Sequence, residues 1–243
     1  MHITGSLTGM LALTGIRPDT VLMSRRHWAG YVALGDALTE GVRDPRLPSA
    51  SSWSSRLAAI LDGNARLGGH RVDYLNLAAD GELIRDVSEK QLPLAIMARP
   101  DLVSIMAGGF ELQSARTDPD ELASRLETAV VALRELSIDV LIANVVDPQF
   151  AFFMRPTRSR VAAFNANVWS IARSHAAYIL DVWALRELQS PSMWTADRHQ
   201  FSAPGHRLVA NRAAHTLGVP YFDLGAESFA PPQGLPVQPT IDF

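Results

Sequence analysis

The chain has 243 residues, enough for one large domain or two small ones, and its 47% apolar and 19% charged residues are those of an ordinary globular protein. A net charge of −3 offers no basic field for nucleic acid, and the absence of cysteine excludes disulfides, thiolate metal sites and cysteine nucleophiles. No stretch approaches the ~20 uninterrupted apolar residues of a membrane span, so no membrane partner is expected.

Residues 1–27 read as an N-terminal arm. They lack a basic n-region, and threonines and glycines interrupt their apolar run, so they read as a poor signal peptide and a cytoplasmic location is expected. WAGYVALGD (28–36) is a short apolar run ending in Gly-Asp, the pattern of a buried strand. ALTEGV follows as a helical turn, and the Pro- and Ser-rich stretch 43–52 as a loop. WSSRLAAILDG (53–63) has Trp53, Leu57, Ile60 and Leu61 at helical spacing, and VDYLNLA (72–78) is a second strand. Residues 81–98 read as a helix broken or kinked near Pro93, and DLVSIMAGG (101–109) as a third strand. The clearest helix is 118–136, with Asp118 as its cap, Pro119 at its first position, Glu121 closing a capping box, and an apolar stripe of Leu122, Leu126, Ala129, Val130 and Leu133. Strands over 138–146 and 177–182 alternate with helices over 160–176 and 202–218. A proline-rich tail occupies 225–243, which leaves 28–224 as the folded domain.

Strands alternating with helices predict a three-layer α/β/α sandwich around a five-stranded parallel sheet. In such sheets ligands bind beyond the carboxyl ends of the strands, near the switch in strand order. Residues 35–39, 79–81 and 108–111 are therefore the expected site, with 147–158 and 194–200 as its walls. No P-loop, GxGxxG fingerprint or metal-ligand spacing occurs, and His2, His27, His70, His175 and His215 show no ligand pairing, so no cofactor and no metal are expected.

Four segments carry a family resemblance. YVALGDALTEGV resembles the first block of the GDSL/SGNH hydrolases, NLAADGELIRDV the second, SIMAGGFELQ the third, and WTADRHQFSAPGHRLVA the last. They occur in family order across about 28–218. The resemblance implies the flavodoxin-like SGNH fold and an esterase-type pocket. It also marks departures: the nucleophilic serine position holds Ala37, the oxyanion-hole asparagine position holds Phe110, and the catalytic histidine position holds Gln200 when the block is aligned on Asp197 and Gly205-His206. The block-two glycine is kept as Gly81. A methyl group cannot attack a carbonyl, and an amide is no general base near neutral pH. Triad members act as a unit, so covalent acyl transfer should be lost.

Three readings follow. The first is a former esterase that now guides a small, fairly apolar molecule through non-covalent cyclisation, isomerisation or elimination in a biosynthetic pathway. Its oxyanion donors would be the N–H groups at Ala37 and Gly81, and its acid–base group a carboxylate. Asp197 is the first candidate, Glu111 the second, with Asp36 and His199 as further titratable groups. Asp197 and Glu111 are both expected to titrate above the ordinary carboxylate range if an apolar wall excludes water. The second reading is a non-catalytic ligand-binding pseudoenzyme, and the third an esterase whose serine was replaced by design, with His199 as base after a one-residue shift in register. Each candidate also has a plain structural role open to it: Asp36 can tie down its turn, Glu40 can sit in a first helical turn, Asp197 can brace its loop, and His206 can open the last helix. Phe150, Phe152, Phe153 and Met154, with Phe110 and Trp194, are expected to wall an apolar pocket rimmed by Arg155, Arg158 and Arg160. The same aromatics could instead bury against a helix or a second copy of the chain, so self-association is left open.

Overall fold

The five apolar runs form one sheet. β1 (Gly30–Gly35), β2 (Asp73–Asn76), β3 (Leu102–Met106), β4 (Asp139–Ala143) and β5 (Tyr178–Leu180) lie in the order β2-β1-β3-β4-β5. Every neighbouring pair is parallel, with Tyr31 opposite both Tyr74 and Leu102. The computed structural model describes residues 28–41 and 52–220. The expected N-terminal arm, most of the loop 43–52 and the proline-rich tail lie outside the described residues.

Side-chain alternation along the strands divides the core in two. Tyr31, Ala33, Leu102, Met106 and Leu141 pack beneath α2 (Trp53–Leu67) and α7 (Ala203–Thr216). Val32, Leu34, Val103, Ile105 and Val140 face the other way, against α5 (Pro119–Glu135) and α6 (Arg158–Ser174). The result is the expected three-layer sandwich. The strands are shorter than the apolar runs, and the residues beyond their carboxyl ends belong to the loops that build the site. No described helix is long and apolar enough to cross a membrane.

Two local expectations are corrected. Asp118 does cap α5, accepting from the Asp120 N–H, but Glu121 pairs outward with Arg125 at 2.8 Å. The helix over 81–98 is not broken at Pro93. It runs as α3 (Ile84–Asp86), a π turn over Val87–Gln91, and α4 (Leu92–Ala98). Pro93 has no N–H for the Glu89 carbonyl, and its ring would strike that carbonyl in a regular helix; the wider turn just before it removes the conflict.

The chain leaving β1 passes through α2 on one face of the sheet, and the chain leaving β3 passes through α5 on the other. The chain therefore splits at the carboxyl ends of β1 and β3, where a doubly wound sheet opens a crevice.

Candidate active site

A cavity of about 230 Å³ occupies that crevice. Its floor and wall come from all the strand-end loops: Asp36 and Ala37 after β1, Asp80 and Gly81 after β2, Ala107 and Phe110 after β3, Asn144 to Val146 after β4, and Val182 after β5. The loop ahead of α7 closes it with Trp194, Asp197, Arg198 and His199, and the connection after β4 adds Phe150, Phe153 and Met154.

The turn after β1 is built by its own residues. Gly35 has φ of 147°, and a Cβ there would lie 2.1 Å from the Met106 carbonyl, so only glycine lets β1 and β3 approach this closely. The buried Gln91 amide accepts from the Gly35 N–H and donates to its carbonyl, both at 2.8 Å. Asp36 then caps α1 (Ala37–Glu40), its Oδ1 accepting from the Leu38 N–H at 3.0 Å. Ala37 is the first residue of α1, so its N–H has no carbonyl one turn back.

Burial drives the electrostatics. It pushes the Asp36 carboxyl up to about 7; the Leu38 N–H opposes that shift, and the nearby Glu111 carboxylate adds to it. Glu111 is also raised by burial, as expected, but it does not line the cavity. Its Oε1 accepts from the Ile84 N–H at 2.7 Å, and its Oε2 is buried without a hydrogen-bond partner among the described residues.

Asp197 departs from expectation. It lies at the exposed edge of the cavity, and its Oδ1 accepts from the Thr195 hydroxyl at 2.6 Å and the His199 N–H at 3.0 Å. The hydroxyl bond holds its carboxyl below the ordinary carboxylate range, not above it. Asp197 braces its loop.

Gln200 does not line the cavity; its backbone N–H donates to the Thr195 hydroxyl and its carbonyl accepts from the Thr195 N–H. The histidine one position earlier does. Arg198 has a left-handed φ of 59° and donates to the Phe150 carbonyl at 2.7 Å, a one-residue kink that brings His199 to the cavity. His199 Nε2 lies 2.9 Å from Asp80 Oδ1, and that bond raises the imidazole above its ordinary value.

The aromatic wall is partly realised. Phe150 stacks on Trp194 at 4.0 Å with ring planes 6° apart, and Trp194 continues into the core against Phe201. Phe110 and Phe153 line the cavity but are 56% and 68% exposed, so they form its rim, while Phe152 lies outside it. None of Arg155, Arg158 and Arg160, the expected basic rim, lines the cavity. Arg158 is paired with Asp147 at 3.0 Å, Arg160 donates to the Leu112 carbonyl, and Arg155 lies over Phe152. Glu40 accepts from the Asp80 N–H at 2.8 Å and so holds the second loop. His206 is buried, accepting from the Trp53 N–H, and is structural.

Sequence reasoning placed Asp80 and Arg198 within the expected site segments 79–81 and 194–200 but gave neither a role, and it missed Gln91. The acid before Gly81 was a visible signal for Asp80. Gln91 and Arg198 depend on a π turn and a left-handed residue, which leave no mark in spacing.

A family model described as GDSL-like lipase/acylhydrolase matches residues 33–208. Among solved structures, LAE5, an α/β hydrolase enzyme from the metagenome of Lake Arreo in Spain, is 22% identical with a TM-score of 0.66, covering 79% of this chain and 95% of its own. Axe2, an acetylxylan esterase from Geobacillus stearothermophilus, is 17% identical with a TM-score of 0.66, covering 78% of this chain and 94% of its own. TesA is also 17% identical, with a TM-score of 0.62 and coverages of 77% and 97%. These likenesses are of fold. Among curated proteins no sequence matches this chain.

Proposed function

The chain belongs to the GDSL-like lipase/acylhydrolase family, and from that premise we propose that this member has given up serine acyl transfer and passes a small, fairly apolar molecule through a non-covalent acid–base reaction. Cyclisation, isomerisation or elimination in a biosynthetic pathway are the reaction types that fit. One observation carries the reading: among the described residues the cavity is lined by no serine, threonine, tyrosine, lysine or cysteine, while the buried carboxyl of Asp36 stands beside the Ala37 methyl in its wall. Among these residues a side chain able to form an acyl-enzyme through a hydroxyl, amine or thiol is missing, and a carboxyl that burial pushes up to about 7, the range that suits proton transfer near neutral pH, stands in its place.

Asp36 is the acid–base group in this reading, in place of Asp197. The N–H groups of Ala37 and Gly81 are the donors for a developing enolate or alkoxide. The cavity's size and its lining of Met106, Val145, Val146, Val161 and Trp194 select a compact apolar substrate.

The first test is esterase chemistry. The protein is expected not to hydrolyse p-nitrophenyl acetate or butyrate and not to react with a fluorophosphonate probe. Ala37→Ser alone is expected to stay far below a working esterase, because an oxyanion donor is also gone at Phe110, worth ~10²–10³ in rate. The position of His199 favours one rival, an esterase lacking only its serine; a competent Ala37→Ser enzyme would establish it and overturn the proposal. The second test screens small β-hydroxy and β,γ-unsaturated carbonyl compounds for dehydration or double-bond migration by mass spectrometry and NMR. Turnover by the wild type that falls ~10²–10⁴-fold in Asp36→Asn supports the acid–base role. Equal turnover by both overturns it.

A further inference from the structure

Two loops that come from opposite ends of the domain sequence meet across the cavity mouth. One follows β2 and carries Asp80; the other precedes α7 and carries His199. Their side chains join through His199 Nε2 and Asp80 Oδ1 at 2.9 Å. We infer that Asp80 and His199 form a second proton-transfer unit of this site, with His199 as the group that meets the substrate and Asp80 as its positioning residue. The inference rests on the acid–base reading above and names a partner for Asp36.

The geometry of both loops supports it. The Asp80 backbone is held from α1, where Glu40 Oε2 accepts its N–H at 2.8 Å, and the next residue, Gly81, turns the chain with φ of 80°. The His199 backbone is held by Asp197, whose Oδ1 accepts its N–H at 3.0 Å. Arg198 adds an anchor to the Phe150 carbonyl at 2.7 Å. Asp197 thus fixes where the residue sits, and Asp80 fixes where the ring points. Both Asp80 and His199 line the cavity.

The bond also assigns the ring nitrogens. A carboxylate only accepts, so Nε2 carries the proton in the neutral ring and Nδ1 holds the lone pair. Nδ1 is then the atom that takes a proton from substrate. The imidazolium formed is stabilised by Asp80 and returns that proton later in the same turnover. The charged groups acting on His199 are the carboxylates of Asp80, Asp197 and Asp36, with Asp80 dominant. The Arg198 guanidinium is occupied at the Phe150 carbonyl. Two groups that exchange protons around one cavity, Asp36 and His199, suit a reaction that removes a proton at one atom and supplies one at another.

The test is NMR titration of ring-labelled histidine, which needs no substrate. In the wild-type protein the neutral His199 ring is expected as the Nε2–H tautomer, with its titration midpoint above that of an exposed histidine. Asp80→Asn is expected to lower that midpoint, because the close carboxylate that favours the charged ring is lost, and Asp197→Asn to lower it by less. A neutral Nδ1–H tautomer in the wild type overturns the inference without any variant. So does a midpoint that moves more in Asp197→Asn than in Asp80→Asn, or in neither. Whether Asp36→Asn abolishes turnover is a separate result: its failure would remove the acid–base reading and leave the ring assignment standing.

Discussion

Gln91 shows how much one side chain can fix. It is buried, donates to the Gly35 carbonyl, accepts from the Gly35 N–H, and contacts Glu82 Oε2 through its amide nitrogen. The last residue of β1 thereby obtains hydrogen bonds that a neighbouring strand would otherwise supply, and the turn bearing Asp36 and Ala37 is held in place. The Gly35 carbonyl also accepts from the Ala79 N–H, so it keeps a partner without Gln91, whereas the Gly35 N–H does not. Gln91→Leu preserves bulk and orphans that one buried donor. It should cost about 1–3 kcal/mol, the penalty for an unsatisfied buried N–H, read as a lower urea midpoint at unchanged m-value. An unchanged midpoint would show that the turn is fixed by Gly35 and Asp36 alone.

At the scale of elements, the approach of the last loop to α7 depends on Gly205. A Cβ there would lie 2.2 Å from the Met193 carbonyl and 3.1 Å from the Phe201 side chain, a conflict with fixed backbone. Gly205→Ala should therefore destabilise by about 1–3 kcal/mol, as overpacking does, and shift the amide NMR signals of 193–201, including His199. Gly63 in α2 is the control. It is exposed and a Cβ there meets nothing within 4 Å, so Gly63→Ala should stabilise by about 0.5–1 kcal/mol through helix propensity. The same contrast explains what could be read from sequence. The helices and strands were legible because Leu122, Leu126, Val130 and Leu133, or Tyr31 to Leu34, repeat at periods that a buried stripe or sheet imposes. The four blocks located the cavity. The individual roles within it were not legible, because the alignment on Asp197 and Gly205 points to Gln200, whereas His199 lines the cavity and Gln200 does not. Between Asp197 and His199 the chain passes through a left-handed residue, Arg198, and nothing in spacing announces it. Asp197 was misjudged for a related reason: its pKa depends on the Thr195 hydroxyl and the His199 N–H, which only the folded loop brings to it.

For the molecule as a whole, two buried groups act on stability with opposite signs over the same pH range. Asp36 titrates near 4 when unfolded and at about 7 when folded, so between those values the folded state holds a proton that the unfolded state has lost. Its contribution is fully present below pH 4 and is lost as pH rises through 7. His206 is the reverse: burial lowers it from its ordinary value of about 6.5 to about 3, so within that window the unfolded state holds the extra proton. Its contribution is present above 6.5 and is lost as pH falls toward 3. Each effect has a slope of about 1.4 kcal/mol per pH unit for one proton, and between roughly pH 4 and 6.5 they offset. Asp36→Asn removes one term, so relative to wild type its stability should rise more steeply with pH across that window. His206→Asn removes the other, so relative to wild type its stability should fall as pH rises. The double variant should return to the wild-type slope, whatever the absolute cost of each substitution, because the comparison is of slopes. Urea midpoints measured from pH 4 to 7 on the four proteins decide it. If Asp36→Asn leaves the slope unchanged, the carboxyl in the cavity wall is not buried in an apolar setting, and the basis for assigning it proton transfer near neutral pH is gone.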